Sequence, residues 1–140
     1  MLSLKRKNLG FTLIELLIVV VVISILAGIG LTALGRAQRS ARDGDRRSDI
    51  ETIRGALEEF YADNNRYPST GIGPMTSVLE GGGHIGDVPD DPDPTKNYSY
   101  EQLASGQAYC IAADLEAPKP DDPAGACNGT SYDYVKRQND

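Results

Sequence analysis

Apolar and polar positions divide this chain into stretches with different periodicities. Leu16 to Gly35 contains no charged residue and is dominated by Leu, Ile and Val. As a helix rising 1.5 Å per residue it would span about 30 Å, the thickness of a bilayer core. Beyond it the pattern becomes amphipathic. Ile50, Ile53, Leu57, Phe60 and Tyr61 recur at three- and four-residue steps, while Asp49, Glu51, Glu58, Glu59 and Asp63 lie elsewhere on the wheel. This predicts a helix with one packed and one wet face, supported by i,i+4 pairs of Asp43 with Arg47 and Arg54 with Glu58. Pro68 disfavours a helical Tyr67, so the helix should stop near Asn64 or Asn65. If continuous from Phe11 it would be on the order of 80 Å long, more than a small head can bury. Its first half therefore needs a membrane or other chains.

After Tyr67 the apolar runs shorten. Ser69 to Pro74 reads as a turn, Thr76 to Glu80 as a short helix closed by Gly81 to Gly83, and Asp87 to Pro94 as an irregular, proline-rich stretch. Short strands are predicted at Tyr98 to Leu103, Tyr109 to Glu116 and Ser131 to Lys136. Tyr109, Ile111, Ala113 and Leu115 alternate, and Tyr132 and Tyr134 would share a face. Ala117 to Gly125 is a polar loop. The expected fold class is α+β, with a long N-terminal helix, transmembrane in its first half, packed against about three short antiparallel strands.

Charge modifies this picture unevenly. The formal net charge is -6, but Lys5, Arg6 and Lys7 precede the apolar run and five arginines, Arg36, Arg39, Arg42, Arg46 and Arg47, follow it. From Tyr67 to Tyr134 the basic residues are Lys96 and Lys119 among many acids. Such a surface is unsuited to nucleic-acid backbones, which need clustered Lys and Arg, and only the arginine group keeps a DNA-capturing role open. The positive-inside rule, counting three basic residues before the span and five after it, favours a cytoplasmic head. The cysteine pair argues for the opposite orientation. Cys110 and Cys127 are even in number, follow an export-type segment and lack metal-binding spacing, so they read as a disulfide worth about 3 kcal/mol. The alternative is two buried free thiols.

Glu15 is the one carboxylate near the start of the apolar run. A charge at the centre of a membrane helix costs about 2.5 to 3.5 kcal/mol, and less near an end, so the residue either reaches the headgroups or awaits a partner. A secretory signal cut after Gly35 is opposed by this carboxylate and by the length of the run. Gly28, Gly30 and Gly35 mark a weak point in the helix, or a surface for close helix contact. No Walker loop, G-x-S-x-G, HExxH or zinc spacing occurs, and the single histidine, His84, has no partner at ligand spacing. An enzyme is not expected.

Lys5-Arg6-Lys7-Asn8-Leu9-Gly10 followed by Phe11-Thr12-Leu13-Ile14-Glu15-Leu16-Leu17 resembles the precursor signature of type IV pilins and type II secretion pseudopilins. "ALEEFYADNNRYP" at 56–68 looks like the end of their long helix, and "VPDDPDP" with "YSYEQLASGQAYCIAADLE" is similar to their short sheet region. The resemblance implies a leader at 1–10, cleavage between Gly10 and Phe11 by a prepilin peptidase, and N-methylation of Phe11. It further implies an assembly helix at 11–35, an amphipathic continuation at 36–65 and a head at 66–140. In assembled filaments of this family the glutamate corresponding to Glu15 neutralises the terminal amine of a neighbour. The implied partners are further copies of the chain and an inner-membrane pilus or secretion machinery, with the head outside the cytoplasm. The leading expectation is a type IV pilus subunit, and the alternatives are a type II secretion pseudopilin or a minor pilin for DNA uptake. No cofactor is expected. Some major pseudopilins bind calcium in a head loop, and here Asp87, Asp90, Asp91 and Asp93, or Asp114, Asp121 and Asp122, offer hard oxygen ligands without the EF-hand spacing.

Overall fold

The computed structural model describes residues 10–138, in two units divided between Ala37 and Gln38. Lys5, Arg6, Lys7 and the rest of the leader before Gly10 lie outside the described residues. Helix α1 (Leu13–Asn64) contributes to both units and runs without a break through Gly28, Gly30 and Gly35. In the first unit its large apolar side chains are exposed, from 48 % at Val22 to 82 % at Leu13, and this helix is long and apolar enough to cross a membrane. α1 ends at Asn64, where the sequence places the stop, and Asn65 takes a positive φ of 53°.

The second unit packs two layers. Helix α2 (Ile72–Gly81) follows α1, and then come β1 (Ser99–Leu103), a 3-10 turn (Ala104–Gly106), β2 (Ala108–Ala113), β3 (Gly125–Cys127), β4 (Thr130–Tyr132) and β5 (Tyr134–Arg137). The main sheet is antiparallel in the order β1-β2-β5, with Tyr100 opposite Ile111 and Ala112 opposite Val135; β3 and β4 form a separate hairpin. Ile50, Ile53, Leu57 and Phe60 of α1 meet Met75 and Leu79 of α2 and the tyrosine-rich face of β1 and β2. Each fully buried Ile or Leu stabilises the head by about 1.5 to 3 kcal/mol. Gly106 closes the β1-β2 connection at φ 94°, where a Cβ would crowd Gln102 and the Cβ of Arg66, while its carbonyl accepts Tyr67 N–H at 2.9 Å.

Several sequence expectations are corrected. The short helix begins at Ile72 rather than Thr76, because Pro74 lies in its first turn, where a missing N–H removes no helical bond. The last predicted strand is two strands broken at Asp133, so Tyr132 and Tyr134 belong to different sheets. The alternation in β2 also describes only half of its environment. Tyr109, Ile111 and Ala113 face the helices, whereas Cys110 and Ala112 form a second buried cluster with Cys127 and Val135. The expected disulfide is present, Cys110 to Cys127, and joins the central strand to the hairpin on that side.

Candidate functional site

Gly10 to Thr12 precede α1 in non-helical backbone, and Phe11 is 92 % exposed. Thr12 caps the helix. Its N–H donates to Glu15 Oε2 at 2.8 Å, its hydroxyl donates to the same oxygen at 2.7 Å, and Glu15 N–H returns a bond to Thr12 Oγ1 at 3.3 Å. This reciprocal capping box satisfies two donors at the helix start that would otherwise lack acceptors. The Thr-x-x-Glu spacing ahead of an apolar run is the signal in the sequence for this cap, and it gives Glu15 a local role beside the one expected in assembly. Within one chain, therefore, the carboxylate already has local donors on one oxygen.

The arginines after the span have separate roles. Arg36 and Arg39 are exposed. Arg42 grips Glu116 through two bonds of 2.7 and 2.6 Å, and Arg47 grips Asp122 through bonds of 2.9 and 2.6 Å. Arg46 is fully buried, paired through Nε and Nη2 with Asp91, both at 2.8 Å, and through Nη1 with Asp43 at 2.8 Å and Glu116 at 3.1 Å. Asp43 also accepts the backbone N–H groups of Glu116 and Ala117. Two loops of the head are thereby cross-linked to one stretch of α1. The Arg42 side chain, ahead of Arg46, pulls the Glu116 carboxyl down to about 2, and Arg47 lowers that of Asp122. These contacts replace the predicted helical pairs. Asp43 bonds Arg46 rather than Arg47, and Arg54 bonds Glu51 rather than Glu58. Three of the five arginines that left a DNA-capturing role open are instead paired with carboxylates of the head.

Carboxylates assigned to the wet face of α1 also have structural partners. Glu58 accepts the hydroxyls of Tyr67 and Tyr109, Asp49 that of Tyr98 at 2.6 Å, and Glu51 that of Tyr134 at 3.3 Å. Burial pushes the Tyr109 hydroxyl up to about 12. His84 packs edge-on against Phe60, its backbone N–H bonded to Leu79, and its Nδ1 lies 3.9 Å from Asp63. That is a packing role in the head. Among the calcium candidates, Asp91 and Asp122 are held by guanidiniums and Asp93 accepts the N–H and hydroxyl of Thr95.

Comparison with known proteins agrees with this layout. Residues 5–31 match the family model described as the prokaryotic N-terminal methylation motif. The chain is 32 % identical to the type II secretion system core protein G of Aeromonas hydrophila over 131 residues, covering 84 % of this chain and 92 % of that protein. The protein of the same name from Vibrio cholerae is 33 % identical, over 76 % of this chain and 77 % of the relative. The type IV major pilin protein PilA of Myxococcus xanthus is 34 % identical over 61 residues, covering 44 % of this chain and 28 % of that protein. No solved structure gives a significant match. Members of this group are structural subunits rather than enzymes, anchored in a membrane by the apolar helix and used in pilus or pseudopilus assembly. A methylation-motif N-terminus, a long apolar helix and a small antiparallel head, with relatives aligned across most of the chain, place the protein in the type IV pilin and type II secretion pseudopilin family.

Proposed function

We propose that this chain is a subunit of a type II secretion pseudopilus, cleaved between Gly10 and Phe11 by a prepilin peptidase and N-methylated at Phe11. The mature chain polymerises with further copies of itself on an inner-membrane assembly machinery, its head outside the cytoplasm. The observation carrying this reading is coverage: similarity to the core protein G relatives extends through the head, whereas that to the pilin PilA spans under half of the chain. The balance thus moves from the pilus that the N-terminal signature first suggests toward its secretion alternative. The exposed helix of the first unit supports a role in which lipid covers its apolar surface before assembly and other copies cover it afterwards. Glu15 then exchanges part of its local cap for the terminal amine of a neighbour.

Deleting the gene in its own host tests this directly. Loss of exported proteins from the medium with surface pili intact supports the secretion role; loss of pili with normal secretion would return the chain to the pilus class. Mass spectrometry of the mature N-terminus tests the processing, which is expected to begin at N-methylated Phe11. A mature chain starting at Met1, or cut after Gly35, would refute it.

A further inference from the structure

Three guanidiniums from a single short stretch of α1 hold the carboxylates of two acidic loops. The loops are rich in proline, including Pro89, Pro92 and Pro94 in one and Pro118, Pro120 and Pro123 in the other, so they have few N–H groups with which to pin themselves. Asp91 gives both oxygens to Arg46, and its Oδ1 also accepts Asp93 N–H. Asp122 gives both oxygens to Arg47, and its Oδ2 also accepts Lys119 N–H at 2.6 Å. Glu116, at the start of the second loop, is held by Arg42 and Arg46. A divalent ion taking these oxygens would have to break bidentate charge-assisted bonds and then sit beside the displaced positive charges. Among the described residues, the group of three metal-type ligands close enough to share an ion is Glu101, Cys110 and Cys127, and its two sulfurs are joined as the disulfide.

We propose that the arginines of α1 take the place of a structural divalent cation in this head: Arg46 locks the loop around Asp91, Arg42 and Arg47 lock the loop from Glu116 to Asp122, and the loops so held neither bind nor require calcium at these carboxylates. The inference is independent of whether the filament serves secretion or a pilus. The Arg47 and Asp122 pair is the appropriate one to alter, because it is less deeply buried than Arg46 with Asp91 and neither residue belongs to the buried apolar cluster.

The test uses the full-length chain in detergent micelles, with thermal unfolding followed by the tyrosine near-UV signal and amide exchange measured across residues 114–124. Calcium chloride and EDTA are expected to give the same melting temperature and the same loop exchange, since a ligand stabilises only a state that binds it. Arg47→Gln and Asp122→Asn are each expected to speed exchange in that loop several-fold, and the double variant no further, as for two members of one contact. A calcium-dependent rise in melting temperature or slowing of loop exchange in the unaltered protein would overturn the proposal. Loop exchange unchanged in Arg47→Gln would do the same.

Discussion

The two units of this chain solve the burial problem in opposite ways. The head buries its apolar face against its own sheet, closes the other side of that sheet with a disulfide hairpin, and leaves no buried side-chain polar atom without a partner among the described residues. The span buries almost nothing of itself, and the side-chain hydrogen bonds it makes are local to the helix, among them the Thr12 and Glu15 cap and the Ser24 hydroxyl donating to the Val20 carbonyl. Sequence chemistry accounts for the contrast. The head mixes Tyr hydroxyls, carboxylates and guanidiniums that satisfy one another at short range, whereas residues 16–35 carry no charge and only two hydroxyls, Ser24 and Thr32, in an otherwise apolar run. One unit is complete as a single molecule, and the other is a surface awaiting an environment.

Variants that act on one unit alone test that division. Glu15→Ala is expected to lower filament yield upward of about 100-fold, the scale of leaving one member of a desolvated pair uncompensated, with insertion and head stability unchanged. Recovery of sheared filaments measures the first, and the head melting temperature the second. Normal filaments would refute the pairing role. Arg46→Met should do the reverse, costing the head about 3 to 5 kcal/mol in urea unfolding because Asp91 and Asp43 keep their buried charge without their cation. Replacing Cys110 and Cys127 together by serine should cost roughly 3 kcal/mol by the same measurement.

The smallest expected effect is on pH. The Glu116 carboxyl is held near 2 against an ordinary value of 4.5, so its folded value lies below its unfolded one. Its contribution is therefore complete above about pH 4.5 and lost as the pH falls toward 2. Asp122, lowered by Arg47, acts in the same direction. The melting temperature of the head, followed by its tyrosine near-UV signal, should fall modestly across this range, while the helix of the span in micelles retains its far-UV signal.

The long helix, its end at Asn64 and the helix-facing side of β2 were legible because periodicity and proline report local geometry. The second buried face of β2 was not, since Cys110 and Ala112 gain their cover from a hairpin distant in the chain. Nor could the wheel show that Asp49, Glu51 and Glu58 would accept tyrosine hydroxyls, because an acceptor and a solvated acid look alike until the donor's strand is placed. The internal role of the arginine group was hidden for a related reason. Five closely spaced cations suggest an anionic partner, and for Arg42, Arg46 and Arg47 the anions lie in the same chain, Asp43 within the helix and the others 45 to 75 residues away. At the N-terminus the missed signal was local, a Thr-x-x-Glu spacing.

That cap also bears on how a protease would meet the chain. A peptidase must draw its substrate into extended form, and here the bond between Gly10 and Phe11 lies in non-helical backbone ahead of Leu13. Both capping residues lie on the retained side of that bond. Severing it would therefore leave both members of the capping box, Thr12 and Glu15, on the chain that keeps α1.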